Sequence, residues 1–140
     1  MRIKKILLAV DGSEEAQRAA NYAADLAKIM DAQILVLHCY ESVAAGVDQV
    51  YPLLMEEIAN AAQKTVAPYL VQLEQAGLRK VSSRVAEGAA GALIAAVALE
   101  EGCDLIVIGS RGRTQLVGLL LGSVAQRVLH YATCPVLVIR

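Results

Sequence analysis

Neither tryptophan nor phenylalanine occurs in the 140 residues of this chain. A core must therefore be assembled from Leu, Val, Ile and abundant Ala, a composition suited to helices packed closely on a sheet. Cysteine is scarce. Cys39, Cys103 and Cys134 are odd in number and lack C-x-x-C spacing, which argues against a disulfide framework or a zinc site and leaves buried thiols as the expectation. No apolar run approaches the ~18 to 20 residues of a spanning helix, so a soluble chain is expected, with no membrane insertion. An excess of one charge is missing too: 13 Lys and Arg against 14 Asp and Glu leave a net charge of -1, with no Lys/Arg run. General affinity for nucleic acid or acidic lipid is thereby excluded, and any anion site must be local. Met1 leads into charged residues and a short strand-like run rather than a signal peptide, so a cytoplasmic location is expected.

With 56% hydrophobic and 19% charged residues, the chain has the composition of one folded domain, residues 1–140. Ile3 to Val10 and Gln33 to Cys39 read as strands covered on both faces, because their apolar runs are nearly continuous. Between them, Asp11-Gly12-Ser13 turns the chain, and Glu14 and Glu15 favour a helix start through the dipole. Ala16, Ala19, Ala20, Ala23, Ala27 and Met30 form that helix's apolar face, which ends near Asp31. No period survives from Tyr40 to Tyr51, a loop by this reading. Pro52 opens a helix whose face, Leu54, Ile58, Ala62, Tyr69 and Leu73, runs as far as Gly77. Pro68 is expected to kink or split it near Ala67.

Val81 to Ala86 is a less apolar strand, placed nearer a sheet edge and ended by Glu87-Gly88. A helix from Ala89 to Glu101 follows, with Gly102 as its expected C-cap, then a buried strand from Asp104 to Ile108. Val136 to Ile139 is a last strand, introduced by Cys134-Pro135. Strands alternating with helices predict an α/β fold: a three-layer open parallel sheet of five strands in order 3-2-1-4-5, with helices on both faces. In that order the topological switch lies between strands one and four, where Asp11 and Gly109 stand, and ligands bind in such crevices.

Gly109-Ser110-Arg111-Gly112 begins where the fourth strand stops, and nine residues later Gly122-Ser123 precedes Val124, Ala125, Val128, Leu129 and Ala132 at helical spacing. This is a strand, a glycine loop and a helix, with Ser123 the expected N-cap. Free N–H groups at a helix start, approached through glycines without Cβ atoms, suit phosphate. A P-loop is excluded because no Lys stands between Gly122 and Ser123, and no G-x-G-x-x-G occurs.

The spacing Gly, two residues, Gly, nine residues, Gly, Ser resembles the nucleotide-binding motif of the universal stress proteins. Val10-Asp11-Gly12-Ser13, Leu37-His38-Cys39 and Cys134-Pro135-Val136-Leu137-Val138 resemble the same family's strand ends, so the likeness covers nearly the whole chain. It implies a Rossmann-like fold of the adenine nucleotide alpha hydrolase type. It also implies adenine-nucleotide binding, as ATP or AMP and with Mg²⁺ accompanying the phosphates, and a stress-response regulatory role. By that resemblance Asp11 meets the adenosine part, Cys39 and Ile108 flank adenine, and Gly109, Gly112, Gly122, Ser123 and Val124 hold ribose and phosphates. Ala9 and Cys39 stand where ATP-binding relatives carry Pro and Val.

Read by themselves, these residues leave alternatives open. Asp11 can accept from a ligand or bond its own turn. Ser123 can cap, contact phosphate, or both, and Arg111 and Arg113 can pair with phosphate or remain solvated. His38 reads as structural, and His130 as a partner of the helix dipole. No catalytic set and no protein metal site is identified, so binding with at most slow ATP hydrolysis is expected. The competing reading is an interaction protein that uses no nucleotide. The apolar last strand, Pro135 to Arg140, together with the resemblance, implies a homodimer through that edge, and an unidentified regulatory protein partner is compatible with it.

Overall fold

The computed structural model describes residues 2–41, 52–112, 118 and 120–140. Its elements are β1 (Lys5–Ala9), α1 (Glu14–Met30), β2 (Gln33–Tyr40), α2 (Pro52–Gln75), β3 (Val81–Glu87), α3 (Ala90–Glu100), β4 (Leu105–Gly109), α4 (Ser123–Tyr131) and β5 (Val136–Ile139). The strands form one parallel sheet in the order β3-β2-β1-β4-β5. Residue 42 to residue 51 of the expected loop, and Arg113, lie outside the described residues.

Alternation along the strands divides the core into two layers. Ile6, Leu8, Ile34, Val36, Leu105 and Val107 face α1 and α2, packing on the alanines of α1 and on Val66, Tyr69 and Leu73 of α2. Leu7, Leu35, Leu37, Ile106 and Ile108 face α3 and α4, meeting Ile94, Val97 and Val128. The buried alanine stripe of α1, Ala16 to Ala27, lets that helix lie close against the sheet, which a bulkier face would prevent. Because β1 pairs in parallel with both β2 and β4, Asp11 and Gly109 emerge at the same end of the sheet.

At the opposite end, Asp104 Oδ2 accepts from the Lys4 and Lys5 amides at 2.8 and 3.0 Å, fixing where β1 begins. The end of α3 is closed by Gly102, whose φ is +67°, with Gly102 N donating to Leu99 O and Cys103 N to Ala98 O. That double bond pattern places Glu101 at the C-cap and Gly102 one residue beyond, a correction to the expected cap.

Other differences have local causes. α2 runs as one helix through Pro68, without the expected split. Ala62 and Val66 before the proline and Tyr69 and Leu73 after it are buried on the same layer, so packing outweighs the single backbone bond that Pro removes. Leu54, expected on the buried face, is exposed. Of the three thiols only Cys103 is buried, whereas Cys39 and Cys134 are half-buried. β2 continues one residue further than expected, to Tyr40, because β3 pairs along its full length as far as Tyr40 and Glu87.

Candidate functional site

A cavity of about 400 Å³ opens beyond the carboxyl ends of β1 and β4. That size is within the roughly 300 to 1,000 Å³ of small-molecule sites. One wall begins at the end of β1. Gly12, with φ +85°, turns the chain, and Asp11 Oδ1 accepts from the Ser13 amide at 2.9 Å, so the Asx turn is present. Ser13 Oγ accepts from the Ala16 amide at 3.1 Å and caps α1. Two side chains brace this turn from outside: Tyr69 Oη accepts from the Gly12 amide at 3.1 Å, and His38 Nδ1 donates to Val10 O at 2.8 Å. A carbonyl only accepts, so Nδ1 carries the proton, and His38 joins β1 to β2 as a structural residue.

The facing wall is the glycine loop. A Cβ on Gly109 would stand 3.0 Å from Glu15 Cβ and 3.2 Å from its carbonyl carbon, so glycine there permits the close approach of β4 to α1. Ser110 then becomes a junction: its amide donates to Ile139 O at 2.6 Å, and its carbonyl accepts from the Gly122 amide at 2.6 Å. Its hydroxyl donates to Glu15 Oε2 at 2.9 Å. Loop, last strand and the start of α4 are thereby tied together. Gly112 approaches Asp11 so closely that an added Cβ would lie 2.7 Å from Asp11 Oδ2.

α4 starts at Ser123, and its N-cap is Gly122, in extended backbone (φ -73°, ψ 168°) with no side-chain cap bond. The expected Ser123 cap is therefore corrected: its backbone is already helical, and Gly122 takes the half-in position. The first amides of α4 have no intrahelical partner, and Gly122 has no side chain to satisfy them, so they remain open to an anion.

The carboxylate beneath this wall is Glu15, 1% exposed. It accepts from Ser110 Oγ, from the Arg111 amide at 2.6 Å and from Arg111 Nε at 3.1 Å, and Arg18 lies 4.0 Å away. Burial alone would raise its pKa, but the Arg111 amide, the Ser110 hydroxyl and the charges of Arg111 and Arg18 together hold it below the ordinary value. On the apolar side, burial pushes the Cys39 thiol up to about 11 against the opposing pull of Arg84, so Cys39 presents a neutral sulfur.

The cavity brings together Ala9, Asp11, Cys39, Ile108, Gly109, Arg111, Gly112, Gly122, Ser123 and Val124 of the positions singled out from the sequence, while Arg113 lies outside the described residues. It also includes Leu37, Ala90, Ile94 and Ser110, which sequence reasoning did not assign. Its two ends differ in chemistry. Ala9, Leu37, Cys39, Ala90, Ile94 and Ile108 make an aliphatic slot, while Asp11, the loop and the start of α4 make a polar end. Glu15 was read only as a helix-dipole residue, although it stands four and eight residues before Ala19 and Ala23, on the apolar stripe. A carboxylate on that face is the signal that pointed to a buried partner. Among the described residues no group of three or more His, Cys, Asp or Glu could hold a metal, and no helix is long and apolar enough to cross a membrane.

Sheet order, helices on both faces and a ligand-sized crevice at the switch point define a doubly wound, Rossmann-like α/β protein. The model of the universal stress protein family matches residues 2–140, and the chain belongs to that family. A universal stress protein from Thermus aquaticus is 34% identical over 137 residues, covering 98% of this chain and 98% of the relative. The solved structure of hypothetical protein MJ0577 has a TM-score of 0.88 and 29% identity, covering 99% of this chain and 96% of that one. A universal stress protein in complex with cAMP (TM-score 0.79, 22% identity, covering 100% and 99%) shares the fold. So does the Archaeoglobus fulgidus universal stress protein in complex with dAMP (TM-score 0.75, 24% identity, covering 100% of each chain).

Proposed function

We propose that this chain binds an adenine nucleotide in the crevice between β1 and β4 and acts as a nucleotide-responsive regulatory module. The observation that carries the reading is the shape of the cavity: an aliphatic slot at one end, and at the other a glycine loop facing the uncapped amides of α4. A purine is flat and apolar on its faces, and it fits between Cys39 and Ile108. The phosphates then lie on Gly109 to Gly112 and on the backbone of Gly122, Ser123 and Val124. Asp11, at the polar end of the cavity, faces the ribose. Relatives of this fold solved with cAMP and dAMP support adenine as the base.

ATP with Mg²⁺ is the ligand we favour, since the loop and helix start together offer more donors than one phosphate uses. Among the described residues lining the cavity none stands out as a catalytic base, and hydrolysis is at most slow. β5 is an edge strand whose Val136, Leu137 and Val138 are only half-buried, and a homodimer paired along it completes the proposal. The test is mass spectrometry of nucleotide released by denaturing freshly purified protein. An adenine nucleotide in substantial molar ratio is expected. Its absence, together with no binding of added ATP at millimolar concentration, favours an interaction protein that uses no nucleotide.

A further inference from the structure

Glu15 and Ser110 are the polar residues almost fully buried among the described residues, at 1% exposure each, and they bond to each other. An ionised carboxylate withdrawn from water requires its lone pairs to be satisfied. Glu15 meets that requirement with donors from two consecutive residues: Oε2 receives the Ser110 hydroxyl and the Arg111 amide, and Oε1 receives Arg111 Nε. Its own backbone belongs to α1, which the alanine stripe seats against the sheet. The rigid layer of the protein therefore grips the first half of the glycine loop through one side chain.

That grip also orients a cation. An arginine side chain has five N–H donors, one on Nε and four on the terminal nitrogens. Glu15 takes the Nε donor, and among the described residues no hydrogen bond engages the other four. Arg111 lines the main cavity and also an adjoining space of about 300 Å³, bordered by Ser110, Gly118, Leu120 and Arg140. A phosphate chain leaving the glycine loop thus reaches a region bordered by Arg111 and by Arg140, the residue that follows β5.

We propose that Glu15 is the positioning residue of the phosphate loop. It holds the Ser110–Arg111 backbone and turns the free edge of the Arg111 guanidinium toward the distal phosphates of a nucleoside di- or triphosphate. The site then discriminates polyphosphate from monophosphate nucleotides through Arg111, with Glu15 acting only through it. This rests on the nucleotide reading above. Replacing Glu15 by Gln keeps the shape but converts one acceptor oxygen to an NH₂ donor. That donor faces either Arg111 Nε or the Arg111 amide and Ser110 hydroxyl, so part of the grip is lost.

Calorimetric titration of AMP, ADP and ATP, each with Mg²⁺, into wild type, Glu15→Gln, Arg111→Ala and the double variant tests the assignment. Wild type gains affinity with each added phosphate. Glu15→Gln keeps AMP affinity within about threefold and loses about tenfold or more on ATP, the worth of a charge-assisted phosphate contact. On the Arg111→Ala background, Glu15→Gln costs ATP no more than it costs AMP, because the backbone grip serves both ligands alike. If Glu15→Gln does not fold, Arg111→Lys serves: it keeps the charge but lacks the Nε donor, and it loses the same ATP-over-AMP increment. An undiminished increment in Glu15→Gln, or in Arg111→Lys where that variant stands in, overturns the assignment, as does a double variant whose losses of that increment multiply. Wild type that binds none of the nucleotides overturns the underlying nucleotide reading instead.

Discussion

Asp11 and Gly112 meet across the mouth of the cavity, and their contact sets what either position tolerates. Gly112 does not occupy the left-handed region, so its requirement is space rather than backbone freedom: a methyl group would stand 2.7 Å from Asp11 Oδ2. Gly112→Ala is expected to displace the Asp11 carboxylate and lower ATP affinity about tenfold, while thermal unfolding moves by only a few degrees, about 1 kcal/mol. A titration with unchanged affinity would remove Gly112 from the site. Glu15 governs the acid side of stability. Its folded pKa is depressed, so its stabilisation is fully present above the unfolded value near ~4.3 and is lost as pH falls through the folded value. Glu101, lowered first by its hydrogen bond from Lys5, and Asp104, lowered by the Lys4 and Lys5 amides, act in the same direction. Melting curves from pH 7 to about 3 should therefore fall most steeply below about pH 4 in wild type, and less steeply in Glu15→Gln. Parallel curves would deny Glu15 this part. Asp11 was legible in the sequence because its turn is local. Glu15 was not, because its partner Ser110 lies 95 residues away and only the folded sheet brings them together.

The start of α4 shows how an element can be read correctly and its cap misplaced. Gly122-Ser123 marked the helix, but Gly and Ser are both acceptable N-caps, and only the backbone angles assign the position to Gly122. The consequence is a cleaner experiment. Ser123 does not cap, so Ser123→Ala is expected to change stability by no more than about 0.5 kcal/mol. Loss of the hydroxyl from a phosphate contact would lower affinity about ten- to a hundredfold. A large fall in melting temperature would show that the hydroxyl supports the helix after all. The packing of α3 on α4 was not legible at all. A Cβ on Gly91 would lie 2.3 Å from Arg127 Cβ, so the two helices touch where glycine stands. Gly91→Ala gains about 1 kcal/mol of helix propensity but forces α3 and α4 apart, for a net destabilisation of about 1 to 3 kcal/mol. Ala90 and Ile94 on α3 and Val124 and Ala125 on α4 line the same cavity, so nucleotide affinity should weaken in the same variant. Stabilisation with intact affinity would contradict this account of the packing.

Across the whole molecule, strand order was readable because burial is written into composition. β1 and β2 are nearly continuous aliphatic runs and lie inside the sheet, whereas Ser82, Ser83 and Arg84 mark β3 as an edge. Pro68 does not split α2 because its cost is local, while the layer that α2 covers extends on both sides of it. The opposite edge, β5, is where the proposed dimer forms. Sedimentation at micromolar concentration should give a dimer mass for wild type and a monomer for Val138→Lys; a monomeric wild type, or a variant that remains dimeric, would count against that interface. Nucleotide binding in the crevice is tested most directly by calorimetric titration of MgATP into wild type, Gly112→Val and Ser123→Ala. Saturable binding by wild type, weakened about tenfold or more in each variant while both unfold cooperatively, is the result this account predicts. Unchanged affinity in both variants would place the nucleotide elsewhere, and no binding by wild type at millimolar ATP would contradict the claim outright.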